Sequence, residues 1–181
     1  MINPVTKSFS YIDKNKIVSP KGTVKREKPL CEITCEEIYS QKRPAFGKLA
    51  FADKLAFCAA SVAIENGKVE NPAECGIVLL TNIGSFMRDN EFMRTIIENS
   101  PSPAYFSATL PSSPIAEISI VFGLKGANKV IFSDYDTAVQ TAKLMLDECK
   151  EILFVEINIP QNPSEIENSF AKALILSRGL S

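Results

Sequence analysis

The sequence predicts a layered α/β domain. Two observations carry this. Gly76-Ile-Val-Leu-Leu-Thr81 is a short, uninterrupted apolar run between turn residues, as in a strand buried on both faces of a parallel sheet. Runs of that kind alternate along the chain with segments whose apolar residues recur at helical spacing. The element order reads βαβ(α)αβαββ, the pattern of helices layered on a sheet. At 181 residues and 45% hydrophobic content the chain has the size of one domain with a sizeable core. Residues 1–181 are therefore expected to form a single domain.

Each element has its own signal. Phe9-Ser-Tyr-Ile12 and Lys16-Ile-Val-Ser19 alternate, which predicts one strand near 9–19 followed by a loop. From Ala45 to Ile64, fifteen of twenty positions are hydrophobic and rich in Ala and Leu, with Asn66-Gly67 as the stop. That helix is apolar on nearly all sides, so it must be covered on more than one face. After the 76–81 strand, Phe86, Phe92, Met93, Ile96 and Ile97 mark a helix with Ser85 as N-cap, ended by Asn99-Ser-Pro101. Ser113-Pro114 reads as N-cap and first helical residue of the next helix, whose buried stripe is Ile115, Ile118, Val121 and Phe122. Lys129–Ser133 reads as a strand and Thr137–Cys149 as a helix with unequal faces. Glu151–Pro160 is a strand whose outer half alternates, suiting one face covered less deeply. Asn162-Pro-Ser164 is a turn, and Ala171–Arg178 reads as a last strand, with helix as the alternative.

Composition bounds the chemistry. Twenty Lys and Arg against twenty-one Asp and Glu leave a net charge of −1 with no block of one sign, so no nucleic-acid or membrane-surface field is implied. Met1-Ile-Asn-Pro-Val-Thr-Lys7 has no basic segment followed by an apolar run, and no apolar stretch is long enough for a membrane span, so a soluble cytoplasmic protein is expected. The five cysteines are irregularly spaced and suggest reduced, mostly buried thiols rather than a zinc or disulfide framework. There is no histidine, the usual base for Ser and Cys nucleophiles. Every Ser-His or Cys-His mechanism is excluded within this chain.

Four segments, in order and in register, resemble the N-terminal half of β-ketoacyl synthases of the thiolase-like superfamily. Tyr11–Gly22 is similar to that family's opening strand and turn, without the glycines usual before Val18-Ser-Pro20. Gly76-Ile-Val-Leu-Leu-Thr-Asn-Ile-Gly84 resembles its second strand and turn. Phe106–Gly126, with its Phe122-Gly-Leu-Lys-Gly126 ending, is the most specific match, and Phe170–Arg178 resembles the strand that closes the first half. The resemblance implies a thiolase-like half-fold, a βαβαβαββ core on a mixed five-stranded sheet that in the family continues into a second, similar half. That half carries the family's two active-site histidines. The family's nucleophilic cysteine sits between the strand matching Lys129–Ser133 and the helix matching Thr137–Cys149, and Tyr135 stands in its place. The implied reading is a non-catalytic accessory or chain-length-factor-like homologue, a pseudoenzyme relative of the acyltransferases, with no cofactor and no metal. Lys129, Val130, Ile131, Phe132 and Ser133 match the strand at the family's two-fold edge. They are the expected interface of a homodimer, or of a heterodimer with a ketosynthase, in fatty acid or polyketide biosynthesis. A different reading is a module that binds an acyl chain or an acyl carrier protein without chemistry.

Individual residues carry two readings each. Tyr135, with Phe106 and Ser107, could line an acyl site, or Tyr135 could be a structural aromatic at a strand-to-helix turn. Asp134 and Asp136 could be an acid/base pair or a metal site, but carboxylates at a helix entrance are favoured as caps and dipole partners. Gly84 could help bind an anion, yet no phosphate-loop Lys-Ser/Thr pair follows, which favours a plain βα turn. Cys31-x-x-x-Cys35 has no companion ligands for a metal. Ser107, Ser112 and Ser113 have no histidine to activate them and fit caps and turns.

Overall fold

The computed structural model describes residues 4–40, 43 and 45–179. Seven strands form one mixed sheet: β1 (Pro4–Ile12), β2 (Lys16–Ser19), β3 (Gly22–Lys25), β4 (Cys75–Thr81), β5 (Asn128–Ile131), β6 (Glu151–Asn158) and β7 (Phe170–Arg178). The helices are α1 (Phe51–Gly67), α2 (Phe86–Ile97), α3 (Pro103–Phe106), α4 (Ser113–Phe122) and α5 (Tyr135–Met145). The strand order is β3-β2-β1-β7-β6-β4-β5. β4 runs parallel to both β5 and β6, and every other pairing is antiparallel.

The predicted α/β class holds, with seven strands in place of five. The extra strands come from the N-terminal segment, where one strand was expected. Asp13 turns the chain there: its Oδ1 accepts hydrogen bonds from the N–H groups of Asn15 (2.7 Å) and Lys16 (2.9 Å). A short carboxylate that satisfies the backbone locally competes with an extended strand. The chain then reverses twice, giving β2 and β3.

β4 and β6 fix the layers. All seven residues of β4 are buried, as are Glu151–Val155 of β6. Ile77, Leu79, Leu153, Val155 and Ile157 pack on one side with α1 and α4, while Val78, Leu80, Ile152 and Phe154 pack on the other with α5. The register that pairs Val78 with Phe154 and Leu79 with Val155 aligns these sets row by row. α1 begins at Phe51, six residues later than its composition suggests, because Phe46–Lys48 forms a separate 3-10 turn. Leu55–Ala63 are all buried, so the all-round apolar helix is covered by the sheet and by α4, with Phe57 stacked against Phe122. β7 is a strand: Ala171, Ala173 and Ile175 are fully buried beneath α1, and it is paired on both sides. Four of the five cysteines are buried and Cys31 is exposed.

Two polar ties hold the layers in place. A bulge between Thr6 and Ser8 takes Lys7 out of the β1–β7 register. Its ammonium pairs with Glu70 and with the buried Glu151 at 2.8 Å each, and Glu151 also accepts the N–H groups of Glu70 and Asn71. A buried carboxylate that is paired and hydrogen-bonded in this way is tolerated and fixes the start of β6. The second tie is Asp53, 4% exposed in the first turn of α1, which accepts hydrogen bonds from Ser113 Oγ of α4 (3.1 Å) and the Ala50 N–H (3.3 Å). Ser113 is thus the first helical residue tying α4 to α1, not the N-cap that the sequence suggests.

Burial raises the Asp53 carboxyl from 3.8 to about 6, against the opposing hydrogen bonds from Ser113 and Ala50 and the charge of Arg88. A carboxyl raised in the folded state contributes stability at low pH that is lost as pH climbs through about 6. Asp53→Asn keeps an acceptor and removes the ionisation. Urea unfolding from pH 4 to 7.5 should show the variant gaining on the native chain by about 2 to 3 kcal/mol, because each tenfold difference in proton affinity between the folded and unfolded chain is worth about 1.4 kcal/mol, with a plateau above neutrality. A difference independent of pH would contradict the assignment.

Candidate functional site

The bend from β5 into α5 is where the sequence places the expected nucleophile position and the interface residues. β5 is an edge strand with four residues paired to β4, from Ile77 opposite Asn128 to Leu80 opposite Ile131. Lys129 is exposed, while Val130 leans on the α1-side core and Ile131 on the α5-side core. The outer edge of β5 carries no strand among the described residues. Phe132 follows, 59% exposed.

Phe132 lies over Gly84, the turn between β4 and α2. Gly84 has φ of +55°, and a Cβ there would stand 2.7 Å from the Phe132 ring. Both the backbone conformation and the close approach require glycine. The Gly84 N–H donates to Thr81 Oγ1 at 3.0 Å, and Pro111 lies close by. The β4–α2 turn, the β5–α5 bend and the loop before α4 therefore meet at one point. This is the plain βα turn expected at Gly84.

Asp134 is the N-cap of α5. It accepts hydrogen bonds from the Thr137 N–H and hydroxyl, both at 2.8 Å, and from Ser133 Oγ at 3.0 Å. The Thr137 backbone and side-chain bonds, then that of Ser133, hold its carboxyl well below the usual range. It caps the helix as a carboxylate. Asp136 is exposed in the first turn. Ser85 stands at the N-cap position of α2 as expected, but its hydroxyl donates to Asp89 at 2.9 Å and accepts no backbone N–H.

Tyr135 opens α5, 44% exposed. Its ring meets Phe154 of β6 edge-on at 5.6 Å, and the Lys172 ammonium of β7 lies 5.9 Å from its centroid. Lys172 is held by Glu156 at 3.1 Å. No sequence pattern pointed to Lys172; only the antiparallel β6–β7 pairing sets it beside Glu156. Cys149 is buried beyond the far end of α5.

The other two site candidates sit elsewhere. Phe106 ends α3, 62% exposed, with its ring 5.3 Å from Phe92 of α2. The Ser107 hydroxyl donates to the Ala104 carbonyl at 3.0 Å, the turn role expected of it. Among the described residues no hydrogen bond or ring contact joins either one to Tyr135; Pro111, in the loop that follows them, lies near Gly84, which Phe132 of the bend also faces. A small cleft the sequence did not signal lies between α1, α2 and α4, lined by Asp53, Gly84, Met87, Arg88, Leu110 and Pro114. Arg88 is buried there against Glu91 (2.6 Å) and the Tyr105 ring (4.9 Å). No helix among the described residues is long and apolar enough to cross a membrane.

No protein-family model matches the sequence, and no curated protein matches it. Solved structures do. A ketosynthase (ApeO) in complex with its chain length factor (ApeC) from Xenorhabdus doucetiae includes a chain that superposes with a TM-score of 0.73 at 13% identity, covering 100% of this chain and 81% of that one. The AntDE:AntF complex, a type II PKS acyl-carrier protein with its ketosynthase bound to the hexaketide, gives 0.72 at 10% identity, over 98% of this chain and 63% of that one. A β-ketoacyl synthase from Burkholderia phymatum gives 0.67 at 10% identity, over 99% and 60%. This chain spans less than two thirds of the last two. At these identities the likeness establishes the fold: the chain has the thiolase-like architecture of the ketosynthases.

Proposed function

We propose that this single domain is a non-catalytic, chain-length-factor-like subunit of the ketosynthase fold, which associates through the β5 edge with a ketosynthase or with a second copy in fatty acid or polyketide-type biosynthesis. The observation that carries this reading is the bend before α5. Condensation needs a thiolate to hold the acyl group and imidazoles to assist decarboxylation and stabilise the oxyanion. The bend offers a phenol packed on Phe154, the described thiols are mostly buried, and the sequence has no imidazole. Neighbours that are ketosynthase and chain-length-factor complexes supply the kind of partner.

The edge supplies the place. Of the five expected interface residues, Lys129, Val130 and Ile131 lie on a short strand whose outer side pairs with no strand among the described residues, and Phe132 and Ser133 follow it, with exposed Phe132 and half-exposed Tyr135 beside the edge. An unpaired strand next to apolar side chains gains both hydrogen bonds and burial from a partner strand. A second reading, a module binding an acyl chain or acyl carrier protein, rests on α2, where Phe86, Met93 and Ile97 form an exposed apolar stripe near Phe106. The apolar α1 gives it no support, because its middle is packed into the core.

Two outcomes test the leading reading. A thiol placed at the bend by Tyr135→Cys should react readily with iodoacetamide, because a helix N-terminus lowers a thiol's pKa, yet acyl-thioester substrates should be neither transferred nor condensed. Condensation by that variant on its own would contradict the account. Phe132→Glu should leave the melting temperature within a few degrees while weakening association about tenfold or more, read by size exclusion with light scattering. A native chain that stays monomeric at micromolar concentration, alone and with a ketosynthase, would remove the interface.

A further inference from the structure

The two faces of the sheet are finished unequally. α1 packs against β1, β2, β6 and β7 on one face, whereas on the other α5 packs on β4 and β6. Beyond α5, the second face runs across β7, β1, β2 and β3. Phe9 there is 40% exposed, and Tyr11, Phe170 and Leu174 are only half-buried. A sheet face of this composition ordinarily carries a helical layer.

Its charges are arranged in a row. Lys16 of β2 lies opposite Lys25 of β3, and the Lys16 ammonium stands 5.8 Å from the Tyr11 centroid. Tyr11 stacks on Phe170 at 5.9 Å, and Lys172, opposite Tyr11 on β7, lies 4.9 Å from the Phe170 centroid. Like charges directly opposite each other on adjacent strands are destabilising. Among the described residues no carboxylate forms an ion pair with Lys16, Lys21 or Lys25. The chain thus keeps a like-charged pair on an apolar face, and no carboxylate among the described residues forms an ion pair with either member.

We propose that this open face docks a helix of a protein partner whose apolar ridge is flanked by carboxylates. The rings take the ridge, and the Lys16/Lys25 pair takes the acids, relieving their repulsion. Nucleic acid fits less well, because the rings are already faced by ammonium groups instead of being open to stacking bases, and Glu156 lies in the row, 13% exposed. The inference goes beyond the β5 edge and does not depend on it.

Two fluorescein-labelled helical peptides of about 18 residues, with the same leucine ridge but flanked by Glu or by Lys, separate the outcomes by anisotropy at low salt. The intact protein should bind the Glu peptide about tenfold or more tightly than the Lys peptide. The order should reverse in Lys16→Glu/Lys25→Glu, both exposed positions, and should be unchanged in Phe132→Glu. Equal binding of the two peptides, a preference that survives the charge reversal, or tighter binding of a labelled oligo-dT of similar length would each overturn the proposal.

Discussion

The constraint on which the rest depends is that β4 and β6, hydrogen-bonded in parallel, are buried on both faces. A strand in that position cannot leave either side to water, so a helix must return across each face before the next strand is added. Parallel β4–β5 and β4–β6 pairs need crossovers, and α4 and α5 supply them on opposite sides. Cys75 and Gly76 pack so closely against the incoming chain that a Cβ at Gly126 would stand 2.5 Å from the Cys75 carbonyl carbon. The start of β5 is therefore set by backbone contact with β4.

From this frame the functional features follow as remainders. β5 adds to β4 on one side, and its other side pairs with no strand among the described residues. The bend after it is held by Asp134 capping α5, with exposed Phe132 lying over Gly84, so the residue at the head of that helix has a fixed place whatever its chemistry. In this chain that residue is Tyr135, whose ring is occupied by Phe154 and Lys172. A bend suited to presenting a reactive group thus presents a half-buried phenol.

Much of this was legible in the sequence where one physical pattern dominated. The uninterrupted run at 76–81, the all-round apolar helix read over 45–64 and the acidic cap before α5 each admit few alternatives, although α1 itself starts only at Phe51. The closing strand at 170–178 needed its partners: helix formers such as Ala171, Ala173 and Leu174 became a strand because β1 and β6 flank it. The hairpin of β2 and β3 was hidden because Asp13 breaks an alternation that otherwise continues to Ser19. Ser85 and Ser113 carry cap-like signatures, but their hydroxyls are drawn to Asp89 and Asp53, carboxylates whose proximity only folding creates. At the site, the position of Tyr135 was readable from register, whereas Lys172 was not, since it comes from a strand some forty residues onward.

Hydrogen–deuterium exchange of the backbone tests the central claim most directly, because it reads β4, β6 and β5 together. The account expects β4 and β6 to exchange slowest in the dilute protein, with β5 exchanging as an open edge and slowing about tenfold or more once the chain is associated. Protection of β5 equal to that of β4 in a dilute monomer, or no change at β5 on association, would contradict it.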